Sequence, residues 1–152
     1  MWLHVDGAHG ASALLSPAHR ERLAGIERAD SLVWDAHKLL RVSGLCAAVL
    51  VRDDADLAAA FRQDASYLFD DRPHAGPDLL ERSVECTKTA LGFKLLLTVA
   101  ELGEDGLGDY VASRYDATAR FAERIAARPG WTVAYAPEAN ICLLYTSPSP
   151  RD

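Results

Sequence analysis

A carboxylate and an amine placed one crossover apart constrain this chain more than any other feature. Asp6 ends the apolar run Trp2-Leu3-His4-Val5-Asp6, and Lys38 follows His37 just past Ser31-Leu32-Val33-Trp34-Asp35. Both runs have the length and composition of short buried strands, and the residues between them read as a helix plus a loop. A strand–helix–strand unit returns the chain beside its own start, with the strands parallel and the crossover right-handed. Asp6 and Lys38 then share the carboxyl edge of one sheet, the edge at which open α/β sheets bind ligands. The expected fold class is therefore α/β, a mostly parallel sheet with flanking helices.

The rest of the chain fills in around that unit. Residues 11–15 read as a short helix, and Ser16-Pro17 as the cap and first turn of a helix over 18–23. Residues 47–51 form a third strand. The link from Lys38 to Leu45 leaves no room for a helical crossover, so this strand should run antiparallel to the second. A helix is predicted over 54–61, then an exposed loop over 67–78, rich in charge, proline and glycine. Residues 79–102 have helical periodicity, with Leu91, Leu95 and Val99 on one face, and the Leu/Phe stripe at 91–99 reads as core. Gly103 to Gly108 interrupts the pattern. A second long helix follows over 107–127, with Tyr110, Arg114, Ala117, Phe121 and Ile125 near helical spacing, and Pro129-Gly130 stops it. Residues 131–135 alternate like a half-buried strand, and Asn140-Ile141 begins another.

Composition narrows the function. The net charge is −6 with no basic run, which argues against a nucleic-acid partner. No stretch of about 18 apolar residues exists, so no membrane span is expected. The last eleven residues, 142–152, resemble a translated sequencing adapter and are set outside the fold, and the chain is expected to be an internal piece of a longer protein. That leaves Cys46 and Cys86, which form no disulfide framework and fit a reducing, cytoplasmic setting. The organisation expected is a large-domain portion over 1–105 and a linking helix with the start of a small domain over 106–141.

Candidate chemistry centres on Lys38. Lysine is scarce here, with only Lys38, Lys88 and Lys94 against thirteen arginines. A rim lysine forms a Schiff base with a carbonyl compound when part of it is neutral, and burial with nearby positive charge is expected to provide that neutral fraction. The usual partner in amino-acid chemistry is pyridoxal 5'-phosphate, which needs a carboxylate against its pyridine nitrogen. Asp6 supplies the charge, and Ala8 is small enough to lie beneath a flat ring. His37 is placed either to donate to a phosphate or to bond the backbone. Ser31 is either a cofactor contact or a strand-edge hydroxyl. His4, His9, His37 and Cys46 offer metal-ligating atoms but lack the close paired spacing of a zinc motif, so no metal site is expected.

These motifs together resemble the group II pyridoxal-phosphate decarboxylases, the family of glutamate and aromatic amino-acid decarboxylases. The resemblance runs through His4-Val5-Asp6-Gly7-Ala8, Ala29-Asp30-Ser31, Asp35-Ala36-His37-Lys38, Cys46-Ala47-Ala48 and Val49-Leu50-Val51-Arg52. It continues through Tyr67-Leu68, Glu85-Cys86-Thr87-Lys88 and Pro137-Glu138-Ala139-Asn140-Ile141, covering nearly all of residues 2–141. It implies the large domain of a fold-type I enzyme, active as a homodimer, that converts an amino acid to an amine and carbon dioxide. By that likeness Lys38 holds the cofactor aldehyde, Asp6 pairs with the pyridine nitrogen, and His37 and Ser31 sit near the cofactor. The chain departs from the family at Gly7, where Ala is common, and at His9, where many relatives carry an aromatic residue. Residues 70–80 also lack the tyrosine that several relatives use as a proton donor, which leaves His74 as the candidate donor in that loop. Two alternatives remain at this point. One is another fold-type I enzyme, cysteine desulfurase-like or aminotransferase-like; the other is an inactive dimerising relative.

Overall fold

The structure is a computed structural model, and it describes residues 1–61, 79–85 and 89–146. His74, Tyr67-Leu68 and Cys86-Thr87-Lys88 lie outside the described residues.

Strand β1 (His4–Asp6) pairs in parallel with β2 (Ser31–Asp35), in a register that sets His4 opposite Ser31 and Asp6 opposite Val33. Strand β3 (Ala47–Val51) runs antiparallel to β2, with Asp35 opposite Ala47 and Ser31 opposite Val51. The order in this sheet is β1-β2-β3. The short link predicted that reversal. It contains α1 (Ala36–Leu39), a single turn that drops Ala36 and Leu39 into the core. Helix α2 (Asp54–Phe61) follows β3. The Arg82 guanidinium donates from Nε to Asp54 Oδ1 at 2.8 Å, which ties α2 to a 3-10 turn over Leu79–Arg82.

The crossover between β1 and β2 is built differently from the expectation. It consists of three 3-10 segments, Gly10–Leu15, Arg20–Leu23 and Ile26–Arg28. Ser16 does not cap a helix over 18–23. It is a buried residue that ends the first segment, with its amide donating to Ala13 O at 3.1 Å. Pro17 supplies no amide of its own, and His19 and Arg20 both donate back to the Ser16 carbonyl, so the chain turns tightly instead of winding. The first segment is pinned to the sheet by Trp34 Nε1, which donates to Ser12 Oγ at 2.8 Å.

Helix α3 (Leu91–Ala126) covers the second predicted long helix and only the 91–102 part of the first, whose predicted start at 79 is instead the separate 3-10 turn over Leu79–Arg82. Gly103 (φ 68°, ψ 170°) breaks the helical dihedrals between them, at the start of the predicted interruption. Its second half buries Leu107, Val111, Tyr115 and Ala122, a stripe repeating about every four residues. That stripe is one position round from the expected one, and Phe121 is 47% exposed. Gly108 permits the close approach: a Cβ there would stand 2.5 Å from the Leu15 carbonyl oxygen. Leu107, Val111 and Tyr115 share one core with Ala13, Leu39, Leu40 and Cys46. Full burial of Leu40 or Leu107 stabilises by about 1.5–3 kcal/mol each. In the first half of α3, Leu91 and Leu95 reach that core. Phe93, Leu96, Leu97 and Val99 do not; they are exposed, so the predicted core stripe over 91–99 is only half realised.

Beyond α3, β4 (Trp131–Val133) pairs antiparallel with β5 (Leu144–Thr146). The final strand therefore begins after Asn140-Ile141, inside the stretch that the sequence reading sets aside. Ala139 packs against the main core.

Candidate active site

The carboxyl ends of β1 and β2 are joined by a continuous run of short polar contacts. Asp6 Oδ1 accepts the Ala8 amide at 3.1 Å. The Ala8 carbonyl accepts the Asp35 amide at 3.0 Å. Asp35 Oδ2 lies 2.8 Å from Lys38 Nζ. Parallel pairing brings the Asp6 turn beside Asp35, and the single turn of α1 then carries Lys38 back over Asp35 at i,i+3 spacing.

The turn after Asp6 is tightly packed. A Cβ on Gly7 would meet Leu32 Cδ1 at 2.6 Å, Ala11 Cβ at 2.8 Å and the Val33 carbonyl at 3.1 Å. Glycine thus lets the turn lie flat on the sheet, with Asp6 held at its rim. One Asp6 oxygen is used within the turn, while Oδ2 has no partner among the described residues. No capping role accompanies this contact, since the Gly10–Leu15 segment begins at His9 with no side-chain cap.

Lys38 differs from the sequence-based expectation in its surroundings. Its side chain is 40% exposed, and its charged neighbour is the Asp35 carboxylate, itself 11% exposed, instead of a cation. Asp35 carries no role in the sequence reading, although an acid three residues before a lysine at a helix start was a legible signal.

His37 is anchored to the backbone. Its Nδ1 lies 3.1 Å from the Cys46 amide and 3.0 Å from the Cys46 carbonyl, and its own amide donates to that carbonyl at 3.2 Å. Nε2 has no hydrogen-bond partner among the described residues.

Ser31 is placed away from this edge. It begins β2, four residues before Asp35, which corresponds to roughly 13 Å along an extended strand. Its hydroxyl accepts from Trp2 Nε1 at 2.9 Å and lies 2.7 Å from His4 Nδ1. The structure thus brings Asp6, Ala8, His37 and Lys38 to one edge and leaves Ser31 and His4 at the other.

One contact had no local signal. His9 Nε2 lies 2.7 Å from Asn140 Oδ1, joining the Asp6 turn to the segment between β4 and β5. The two residues are far apart in sequence, and no spacing rule pairs them.

The fit of this edge to a flat pyridine cofactor follows from its donor set. A half-exposed amine on the turn of α1 that follows β2, and a carboxylate oxygen at the end of β1 with no partner among the described residues, lie at the carboxyl ends of two parallel strands, with the small residue Ala8 in the turn after Asp6. The fold is that of the fold-type I pyridoxal-phosphate decarboxylases. A crystal structure of mouse CSAD matches with a TM-score of 0.84 and 31% identity, over 96% of this chain and 30% of that one. A crystal structure of Oryza sativa TDC with PLP and tryptamine matches with a TM-score of 0.82 and 25% identity, over 93% of this chain and 29% of that one.

The chain belongs to the pyridoxal-dependent decarboxylases, because the model of the pyridoxal-dependent decarboxylase conserved domain matches residues 1–145. Among relatives, the acidic amino acid decarboxylase GADL1 of Homo sapiens is 38% identical over 156 aligned residues. The cysteine sulfinic acid decarboxylase of Rattus norvegicus is 37% identical over 155. The chain spans 30% and 31% of the lengths of those two relatives.

Proposed function

We propose that the protein carrying this chain removes carbon dioxide from an amino acid to leave an amine, using pyridoxal phosphate held at the Asp6–Lys38 edge. Bound there, the cofactor would supply an electron-accepting ring. Lys38 would hold its aldehyde, and the second oxygen of Asp6 would face the pyridine nitrogen and keep it protonated. Ala8 would lie beneath the ring, and His37 Nε2 would reach the phosphate. The observation that carries this reading is the run of contacts from Asp6 through Ala8 and Asp35 to Lys38. It couples an acid and an amine across neighbouring strands at the ligand-binding edge of the sheet.

Further roles belong to the same proposal. His74 would donate the proton that replaces the lost carboxyl group, and the family likeness supports a cytoplasmic homodimer. The same proposal divides the chain into a large-domain portion over 1–105 and a linking helix with the start of a small domain over 106–141.

The experiment is borohydride trapping of pyridoxal phosphate on the full-length protein, with peptide mapping, followed by product analysis with candidate amino acids. Label on Lys38 together with released carbon dioxide supports the proposal. Label with a keto acid or sulfur as product replaces it with the aminotransferase-like or desulfurase-like reading. Absence of label on Lys38 removes it. Replacing His74 with Phe should stop amine release and spare trapping; unchanged turnover removes His74 from the reaction.

A further inference from the structure

We propose that His9 and Asn140 are positioning residues, a clasp that holds the turn carrying Asp6 against the segment between β4 and β5. The inference rests on the reading of Asp6 as the pyridine partner and adds two residues to it. His9 Nε2 donates to Asn140 Oδ1 at 2.7 Å across 131 positions of sequence. A carboxamide oxygen only accepts, so the shared proton sits on the ring nitrogen. Both residues are half-buried. The far end of the clasp is anchored, because Ala139, the neighbour of Asn140, packs against the main core. The near end lies three residues past Asp6. Within that turn Asp6 Oδ1 accepts the Ala8 amide, and the Gly7 carbonyl accepts the Ala11 amide at 2.9 Å. Among the described residues, hydrogen bonds tie residues 7–10 to two other segments: to β2 through Asp35, and to residues 134–143 through His9.

The consequence follows from what a carboxylate in that place has to do. A preorganised charge is effective because it does not rearrange when charge shifts beside it. One Asp6 oxygen is engaged within the turn, so any tipping of the turn carries the second oxygen with it. The Asp35 bond restrains the turn at Ala8, and the His9 bond restrains it one residue further on, from a different segment. One restraint fixes where the turn sits; the second limits its rotation about the first. A hydrogen bond of this kind shifts a local equilibrium by a factor of about 2–10. His9 and Asn140 thus act on the reaction through Asp6, without touching the cofactor themselves.

Amide hydrogen exchange on the full-length holoenzyme tests the clasp, with the Ala11 and Asp35 amides read against the Arg52 amide. Arg52 is a suitable reference because its amide donates to the Asp30 carbonyl at 2.9 Å, at the opposite end of the sheet. Asn140→Leu removes the acceptor, and His9→Phe keeps a ring and removes the donor. Each is expected to speed exchange at Ala11 and Asp35 about two- to tenfold with Arg52 unchanged. His9→Gln, which keeps a donor, should restore the parent rates. Asn140→Ser, whose shorter side chain does not reach the ring, serves in place of a leucine variant that does not fold. Exchange that stays constant overturns the clasp, as does a rise of the same size at all three amides. Kinetics test the positioning. Asn140→Leu should lower kcat about two- to tenfold at nearly constant KM, and should lower it no further once Asp6→Ala is in place. An equal fall in both backgrounds overturns the positioning role. The two readings fail separately. Constant exchange beside a slow Asp6→Ala overturns the clasp and leaves the Asp6 reading, whereas parental turnover in Asp6→Ala removes that reading and the positioning role with it.

Discussion

The amide of Asp35 donates to the carbonyl of Ala8 at 3.0 Å, so the end of β2 is stitched to the turn that follows β1. This single backbone bond makes the positions of Asp6 and Lys38 interdependent. In the full-length enzyme, Asp6→Ala should lower kcat roughly 10²-fold or more, the scale on which a preorganised charge acts on a developing one. Lys38 should still be trapped by borohydride in that variant, whereas Lys38→Ala should lose trapping altogether. Turnover of Asp6→Ala within a few-fold of the parent would remove Asp6 from the site.

Gly108 is where α3 touches the crossover most closely. A methyl group there would meet the Leu15 carbonyl at 2.5 Å, and a backbone atom cannot rotate away. Gly108→Ala should destabilise by about 1–3 kcal/mol despite the better helix propensity of alanine. A urea midpoint equal to or above the parent's would contradict the packing.

Gly7→Ala poses a related problem with a partial remedy. Of its close neighbours, Leu32 Cδ1 is the tip of a side chain, while Ala11 Cβ and the Val33 carbonyl are fixed. The single substitution should cost about 1–3 kcal/mol. Adding Leu32→Ala should recover part of that cost, seen as a favourable coupling of about 0.5 kcal/mol or more in a double-mutant cycle. Strict additivity would show that Leu32 is not the obstacle.

Arg41 sits just after α1 with φ 62°, a left-handed conformation costly for any residue with a Cβ. Its guanidinium lies 5.4 Å from the centre of the Tyr110 ring, and Arg114 lies 5.2 Å from the same ring. Arg41→Ala and Arg41→Gly both delete that cation, so their difference isolates the backbone. The glycine variant should be the more stable of the two by about 1 kcal/mol in thermal or urea unfolding. Equal stabilities would show that the φ value carries no strain.

Burial pushes the Tyr115 hydroxyl above its ordinary value of 10.0, with the charge on Arg22 pulling the other way. The unfolded chain therefore gives up this proton more readily than the folded one. The stabilisation is complete below pH 10.0 and is lost as pH climbs through the raised folded value. Urea midpoints taken from about pH 9 to pH 11 should decline, and Tyr115→Phe should decline less steeply. The phenyl ring retains the stack on His19, whose ring centre lies 4.3 Å away. Parallel declines in the two proteins would exclude Tyr115 as a source.

Much of this fold was legible from sequence because its strands carry local signatures. The runs 31–35 and 47–51 and the helix 54–61 have the predicted bounds, since apolar runs ended by charged residues leave little freedom in register. The antiparallel turn to β3 followed from link length alone. The crossover was misjudged because Ser16-Pro17 has the composition of a helix start, yet burial of Ser16 against the core took precedence over local preference. Periodicity located the helices of α3 but misjudged what they cover. Phe93, Leu96 and Leu97 share the apolar pattern of Leu91 and Leu95 without sharing their burial. Within the candidate site, the parallel pairing that carries Asp6 and Lys38 to one sheet edge was legible from crossover spacing. Asp35 was passed over because it read as the end of a strand, and the His9–Asn140 contact joins distant segments that no local pattern links.

The Trp2–Ser31–His4 junction lies a full strand's length from the Asp6–Lys38 edge. Heat tolerance can therefore be sought at that junction with the Asp6–Lys38 edge left untouched, in a library that varies those three positions and is screened for survival.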